Sequence, residues 1–421
     1  MREPSRAGCP RGTAPSLITA KTGNMAKLSI TDLELSGRRV LVRVDFNVPL
    51  QNGEIGDDTR IRAAVPTLRY ILERGGVPIL MSHLGRPKGS VVPELSLKPA
   101  AARLGELMGR EVAMAPDCVG ADAEAIAKRA DGVVMLENLR FHAEEEANDP
   151  EFARRLCELG SAYVNDAFGT AHRAHASTEG VTHHFVDCAA GFLMQRELDC
   201  LENALSAPAR PFVAVLGGAK ISGKIDVIQH LLTLVDTLLV GGGMAYTFYK
   251  AMGLEIGRSL LEADRVGMAE VLLQRAADAD VRLLLPTDCV VASESRDGTA
   301  IQVVPRDRMP PELEGFDIGP DTRSTFSDEI LNAGSVVWNG PMGVSEIPAF
   351  AGGTEAVAHA VAKASSRGAN TLAGGGETVA ALTASGLADR LGHVSTGGGA
   401  FLEFLEGKLL PGVAALADRP T

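Results

Sequence analysis

The stretch Phe212-Val-Ala-Val-Leu216-Gly-Gly-Ala-Lys220-Ile-Ser-Gly-Lys224-Ile-Asp-Val-Ile-Gln-His-Leu-Leu-Thr-Leu-Val235-Asp-Thr237-Leu-Leu-Val240-Gly-Gly-Gly243 decides the fold. Its first five residues are continuously apolar, a length that suits a strand buried on both faces. Glycine ends the run. From Ile225 to Val235 the apolar residues fall three or four apart, the spacing of a helix. A second apolar run, 237–240, then stops at three glycines. Strand, helix, strand within roughly 30 residues is a βαβ unit, and such a unit belongs to a parallel sheet.

The same rhythm extends in both directions. Short apolar or β-branched runs at 39–45, 78–82, 132–136, 162–165, 282–285, 335–338, 370–373 and 393–395 alternate with helical patterns such as 63–74, 97–108, 150–159 and 353–363. Ten or more strands exceed one comfortable sheet, and 421 residues are about three times the ~150 of a typical domain. The expectation is an α/β protein of two doubly wound parallel-sheet (Rossmann-like) domains. The break falls at 187–207, which reads as helical through Phe192, Leu193, Leu198, Leu201 and Leu205 and ends in Ser206-Ala-Pro-Ala-Arg-Pro211.

Composition narrows the function classes. A hydrophobic share of 45%, a charged share of 22% and 46 glycines fit a chain with real cores and exclude disorder, collagen and coiled coil. The net charge of −12 argues against nucleic acid and anionic membrane as partners. No apolar run approaches the ~18 residues of a membrane span. The six cysteines are scattered, which reads as reduced thiols and a cytoplasmic location. Residues 1–25 read as a disordered or mis-started extension ahead of an ordinary start at Met25. Arg2, Arg6 and Arg11 leave an organelle transit peptide open, while the missing apolar segment argues against a secretory signal.

In open parallel sheets ligands sit beyond the carboxyl ends of the strands. There the two halves differ. The N-terminal runs lead into Asp45-Phe-Asn47, Ser82-His83-Leu-Gly-Arg86, Glu137-Asn-Leu-Arg140 and Asn165-Asp-Ala-Phe-Gly-Thr-Ala-His172-Arg173-Ala-His175, with Arg60 a little past the first. Four arginines at one edge suit a small molecule with more than one anionic group, although any one of them could instead cap a helix or pair with a surface acid. The C-terminal runs lead into glycines: 217–218, 241–243, Gly340-Pro-Met-Gly343, 374–376 and 397–399. Such loops admit close backbone approach, and a following helix N-terminus presents free N–H groups to phosphate. With Lys220, Lys224 and Glu377 nearby, they read as a nucleoside triphosphate site with Mg²⁺, the alternative being tight βα turns.

Gly218-Ala-Lys-Ile-Ser-Gly223-Lys224 nearly matches a Walker A loop, but Ile225 stands where a metal-binding hydroxyl is required. His172 and His175 are a weak metal pair without Cys or acid at ligand spacing. No nucleophile elbow surrounds any serine.

Taken together these motifs resemble the phosphoglycerate kinase family of glycolysis. Arg43-Val-Asp45-Phe-Asn47-Val-Pro49, Ser82-His-Leu-Gly-Arg86-Pro87, Glu137-Asn-Leu-Arg140-Phe, Asp166-Ala-Phe-Gly-Thr-Ala-His172-Arg173-Ala-His175, Leu216-Gly-Gly-Ala-Lys220, Gly241-Gly-Gly-Met244, Trp338-Asn-Gly-Pro341, Gly374-Gly-Gly-Glu-Thr378 and Ser395-Thr-Gly-Gly-Gly399 run in family order over about 27–413. The resemblance implies a two-lobed, monomeric enzyme moving a phosphoryl group between ATP and the carboxylate of 3-phosphoglycerate, with 1,3-bisphosphoglycerate and ADP on the other side of the reaction. It implies that Asp45, Asn47, Arg60, His83, Arg86, Arg140 and Arg173 contact phosphoglycerate. It likewise implies that Lys220, Lys224, Glu346 and Gly375, Gly376, Glu377 and Thr378 contact nucleotide, with Glu377 at Mg²⁺ and Glu346 at the ribose. Arg60, Lys220 and Lys224 would act on the transferring group. The domains become 26–190 plus about 404–421 for phosphoglycerate, 191–207 as hinge helix and 208–403 for nucleotide. Gly223, Ser345 and Glu377 stand where the family usually has Asp, Phe and Asp. A scaffold without catalysis would require those basic and glycine-rich elements to be disrupted, and a P-loop NTPase would release phosphate without phosphoglycerate.

Overall fold

The computed structural model describes residues 26–51 and 53–419, so the expectation for 1–25 lies outside the described residues. Six strands, β1 (Arg39–Arg43), β2 (Val77–Met81), β3 (Val112–Met114), β4 (Val133–Met135), β5 (Ala162–Asn165) and β6 (Cys188–Ala190), form one sheet in the order β3-β4-β2-β1-β5-β6. Their pairings are all parallel. After β7 (Phe212–Leu216), β8 (Thr237–Val240) and β9 (Arg282–Leu284), the strands β10 (Asp288–Ala292), β11 (Gln302–Pro305) and β12 (Glu314–Ile318) make a separate antiparallel sheet. The parallel pattern resumes with β13 (Ser335–Asn339), β14 (Asn370–Gly374) and β15 (His393–Val394), giving a second six-stranded sheet ordered β9-β8-β7-β13-β14-β15. Numbered within its own lobe that order is 3-2-1-4-5-6, with the reversal, and hence a crevice, between β7 and β13.

Three parts of this architecture correct the sequence reading. β3 and β6 were not expected, because three residues carry too little periodicity to register. Residues 188–190, read as the start of the hinge helix, are strand β6; the helix begins at Phe192 after Gly191 in an extended conformation. The antiparallel sheet was missed because its edge strand β11 is largely exposed and polar in its flanks, so no alternating helix marks it.

Helices α1 (Thr59–Glu73), α2 (Lys98–Met108), α3 (Pro150–Cys157), α4 (Phe192–Ser206), α5 (Ile225–Leu231), α6 (Gly352–Ser366), α7 (Gly376–Ala384) and α8 (Gly398–Leu405) cover the sheets, together with further helices that include Val266–Asp278 and Pro320–Leu331. Successive residues of β7 divide between two cores. Phe212, Ala214 and Leu216 join one, Val213 and Val215 the other, as the two-residue period of a doubly covered strand demands. The first of these cores runs without a break from Leu41 and Tyr163 in the N-terminal lobe, through Met194, Leu198, Leu201 and Leu205 of α4, to Phe212 and Leu238. The start of α4 is fastened to β5: the Asp166 carboxylate accepts the backbone N–H groups of Leu193 (2.9 Å) and Met194 (3.2 Å), and burial pushes its pKa up to about 6.

After α8 the chain returns to the N-terminal lobe. Gly412 N–H donates to Ala171 O, Ala417 N–H to Cys188 O and Leu28 N–H to Ala417 O, and Lys27 Nζ lies 2.7 Å from the Asp418 carboxylate. Both ends of the described chain therefore lie beside β6. The glycine loop after β7 is packed tightly enough to test. A Cβ on Gly217 would fall 2.0 Å from the Pro341 carbonyl oxygen, whereas one on Gly267, in the helix Val266–Asp278, meets nothing within 4 Å. Gly217→Ala is expected to destabilise by roughly 1–3 kcal/mol and Gly267→Ala to stabilise by up to roughly 1 kcal/mol, measured by denaturant unfolding; the same sign for both would refute the packing argument.

Candidate active site

A cleft of about 1030 Å³ lies between the carboxyl ends of the two parallel sheets. The residues that the resemblance pairs with phosphoglycerate all line it, Asp45, Asn47, Arg60, His83, Arg86, Arg140 and Arg173, together with His172, whereas His175 does not. Asp45 and Asn47 follow β1, His83 and Arg86 follow β2, Arg140 follows β4 and Arg173 follows β5, while Arg60 stands at the start of α1. Arg60 Nη1 reaches the Asp45 carboxylate at 3.1 Å and the Asn47 carbonyl at 3.0 Å. Asn47 Oδ1 accepts the Gly85 N–H (2.9 Å), tying the first two loops together. Arg140 is nearly buried; Nη1 donates to Gly85 O at 2.8 Å, and Nε is 3.2 Å from Glu146 without hydrogen-bond alignment.

These cations set the charge of the histidines among them. Burial, then Arg43, Arg140 and Arg60, hold His83 well below the usual imidazole range. Burial, followed by Arg43, Arg140 and Arg173, lowers His175 to about 4. His172 is lowered by burial and Arg173, and its Nε2 accepts from Arg173 Nε at 3.2 Å. With that nitrogen occupied and His175 turned toward Glu145 at 3.9 Å, the two do not converge as a metal pair. The edge is thus a set of permanent cations with neutral imidazoles, suited to an anion at any pH near neutral.

Across the cleft, Gly375, Gly376, Gly398 and Gly399 form the opposing wall. Gly375 begins α7 with a left-handed φ of 100°, which only glycine adopts readily, and a Cβ there would press on Asn339. The first N–H groups of α7 are therefore open to a ligand. Glu377 is exposed in its first turn. Thr378 is buried, and its hydroxyl accepts the Gly340 N–H at 2.7 Å, so its side chain braces the loop after β13. Lys224 donates to Asn339 O at 3.2 Å and to Asn339 Oδ1; burial lowers its pKa to about 8, against the attraction of Glu377. Lys220, Lys224, Glu346, Glu377 and Thr378 stand outside the cleft wall itself, with Lys220 and Glu346 exposed at the ends of β7 and β13.

The sequence reading missed the residues that join the two walls. Glu197 of α4 is almost fully buried. Its carboxylate accepts the Thr396 N–H (2.7 Å) and hydroxyl (2.8 Å) and lies 2.8 Å from His393 Nε2 at the start of β15. A signal was present: Glu197 falls in the apolar stripe of Met194, Leu198 and Leu201, where a carboxylate must find partners.

Residues 30–408 match the family model for phosphoglycerate kinase. The chain belongs to the phosphoglycerate kinase family. It is 56% identical over 396 residues to the phosphoglycerate kinase of Chloroherpeton thalassium and 56% identical over 397 residues to that of Moorella thermoacetica, in each case covering 94% of this chain and 100% of the relative. The structure of phosphoglycerate kinase from Coxiella burnetii superposes with a TM-score of 0.84 at 42% identity, covering 92% of this chain and 98% of that one. That from Pyrococcus horikoshii gives 0.80 at 31% identity over the same shares. The fold of the family is the two parallel-sheet lobes seen here, and no helix among the described residues is long and apolar enough to cross a membrane.

The link between α4 and β15 titrates. Burial opposes a charge on His393, but the hydrogen bonds that the ring makes to Cys200 and Glu197 outweigh it and raise the pKa to about 9. A raised pKa stabilises the fold fully below the unfolded value near 6.5, and that stabilisation is lost as pH rises through about 9. His393→Gln, which cannot charge, is expected to be less stable than the parent by about 3 kcal/mol near pH 6. The gap should narrow from pH 7 to 9.5 in parallel thermal melts; a constant gap would show that the charge contributes nothing.

Proposed function

We propose that this chain catalyses 1,3-bisphosphoglycerate + ADP = 3-phosphoglycerate + ATP by direct in-line transfer. The observation that carries this reading is the convergence of Asp45, Asn47, Arg60, His83, Arg86, Arg140 and Arg173 on one cleft whose opposite wall is the N-terminus of α7. A cationic edge for a phosphorylated carboxylic acid faces a backbone cradle for polyphosphate. The acceptor carboxylate is already deprotonated at neutral pH, so no general base is needed, in keeping with histidines held neutral. Positioning and charge neutralisation then supply the catalysis.

In this reading Arg60, Lys220 and Lys224 meet the transferring phosphoryl group, and Asp45 and Asn47 orient Arg60 and the substrate. Gly375, Gly376, Glu377 and Thr378 present the nucleotide phosphates with the start of α7, and Glu346 holds the ribose. Mg²⁺ fits Glu377: one exposed carboxylate beside a phosphate cradle is the sparse oxygen set that this ion uses with nucleotides. When bound, the ion neutralises charge on the β- and γ-phosphates. The enzyme acts as a monomer in the cytoplasm, with 26–190 and 404–421 forming the phosphoglycerate lobe, 191–207 the hinge and 208–403 the nucleotide lobe. Reacting atoms must come within about 3–3.5 Å, so the lobes close when both substrates are present, each alone gaining little from the shut state.

A coupled assay with ATP and Mg²⁺ is expected to show turnover only with 3-phosphoglycerate present; phosphate release without it would overturn the assignment. Arg60→Ala and Lys224→Ala are each expected to lower kcat by roughly 10²–10³-fold with nucleotide KM within a few-fold of the parent. Unchanged kcat would remove that residue from the transferring group. Small-angle scattering is expected to show compaction only with both substrates bound, and equal compaction with one would refute the two-ligand requirement.

A further inference from the structure

Arg43 closes β1 two residues before Asp45, yet it does not face the cleft. It is 1% exposed, one of the largest fully buried side chains of the molecule. Its Nε donates to Ser177 Oγ at 2.8 Å, Nη1 donates to the Val44 carbonyl, and Nη2 lies 3.2 Å from His83 Nδ1. Ser177 in turn donates its hydroxyl to Glu145 Oε1 at 2.6 Å and its backbone N–H to Oε2 at 3.0 Å. Glu145 is completely buried.

The polarity of this chain follows from its two ends. A guanidinium offers five N–H donors, no acceptor, and keeps its proton. A carboxylate only accepts. Ser177 must therefore accept from Arg43 and donate to Glu145, and His83 Nδ1 must be the acceptor of Arg43. The ring proton is then on Nε2. His83 lines the cleft, and with Nδ1 occupied, Nε2 is the nitrogen left for a ligand.

We propose that Glu145, Ser177 and Arg43 are positioning residues that lock His83 in the Nε2–H tautomer, so that it meets the anionic substrate as a neutral donor of fixed direction. This rests on the reaction proposed above for the substrate's identity, but the tautomer does not. The charged and titratable groups that bear on His83 are Arg43 of β1, Arg60 of α1, Arg140 after β4 and His175 after β5. The arginines, with burial, hold the ring uncharged. Burial pushes the Glu145 carboxyl up while Arg43 and the two Ser177 hydrogen bonds draw it down, so the acid and the guanidinium sustain one another in the buried interior. A donor that does not titrate lets the site recognise its anion with constant affinity through the pH range in which a free imidazole would change charge.

Nitrogen-15 spectra of the full chain with labelled histidine, His83 being identified by its loss in His83→Gln, test this directly. The expected spectrum has an unprotonated Nδ1 and a protonated Nε2, unchanged from pH 5.5 to 8. Protonated Nδ1, or titration of the ring in that range, would overturn the proposal even if neither Ser177 nor Arg43 can be replaced. Ser177→Ala and Arg43→Met are expected to release the tautomer and to weaken 3-phosphoglycerate binding about tenfold at pH 7.5, with ATP affinity within twofold. In Arg43→Met the loss should shrink toward pH 6, as the freed ring gains a proton and its charge attracts the anion. Folded variants with the parental spectrum, affinity and pH profile would also overturn it. If the parent shows the expected spectrum but does not bind 3-phosphoglycerate, the proposed reaction fails while the relay stands.

Discussion

One buried carboxylate spans the junction between the two sheets. Glu197 sits on the helix that continues the core from one lobe into the other, and it holds His393 and Thr396 at the strand end where the second lobe approaches the cleft. A carboxylate placed among Met194, Leu198 and Leu201 would be costly without those partners. The geometry of the cleft therefore depends on that contact: both walls are defined relative to α4, and residues on either side of it line the same space. The lobes also meet directly where α8 lies against residues 168–170. A Cβ at Gly397 would collide with Phe168, and one at Gly399 would meet His172, so glycine at these points lets the second lobe lie close to the first.

The cleft also shows how a parallel sheet builds opposite electrostatic tasks from one scaffold. In the N-terminal lobe four of the six strands deliver charged or polar side chains to the edge, and burial together with the arginines suppresses protonation of the imidazoles between them. In the C-terminal lobe the strands deliver glycine, and the backbone itself becomes the ligand. Side-chain forks suit a small, fixed anion. Open N–H groups suit a flexible polyphosphate. The half-buried Lys224, lowered to about 8 and bonded to Asn339, adds a point charge where the backbone alone supplies only partial ones.

Much of this was legible in the sequence. All six strands of the second sheet and four of the first coincide with apolar runs; apart from β9, which leads into Leu285-Pro286, these runs are followed by glycine or by Asp, His and Arg. The residues of the basic edge were legible because strand ends of an open sheet share one rim. What escaped were short or small-residue strands such as Cys188–Ala190, and the antiparallel sheet with its exposed edge. Three residues do not establish a period, and an edge strand does not require one.

The sequence by itself determined the fold class and the contrast between basic, polar strand ends in one half and glycine-rich strand ends in the other, because strand–helix alternation and strand-end composition are local properties. Only the tertiary structure decided that Thr378 braces a neighbouring loop, that Glu197 joins the lobes, and that Arg43 points inward to His83 while Arg60, 17 positions later, points into the cleft. Those outcomes depend on which groups meet from distant parts of the chain: Arg43 finds Ser177 and His83, Glu197 finds His393, and Lys27 finds Asp418. A side chain's role is set by the partners that bury it, and no spacing along the sequence carries that information.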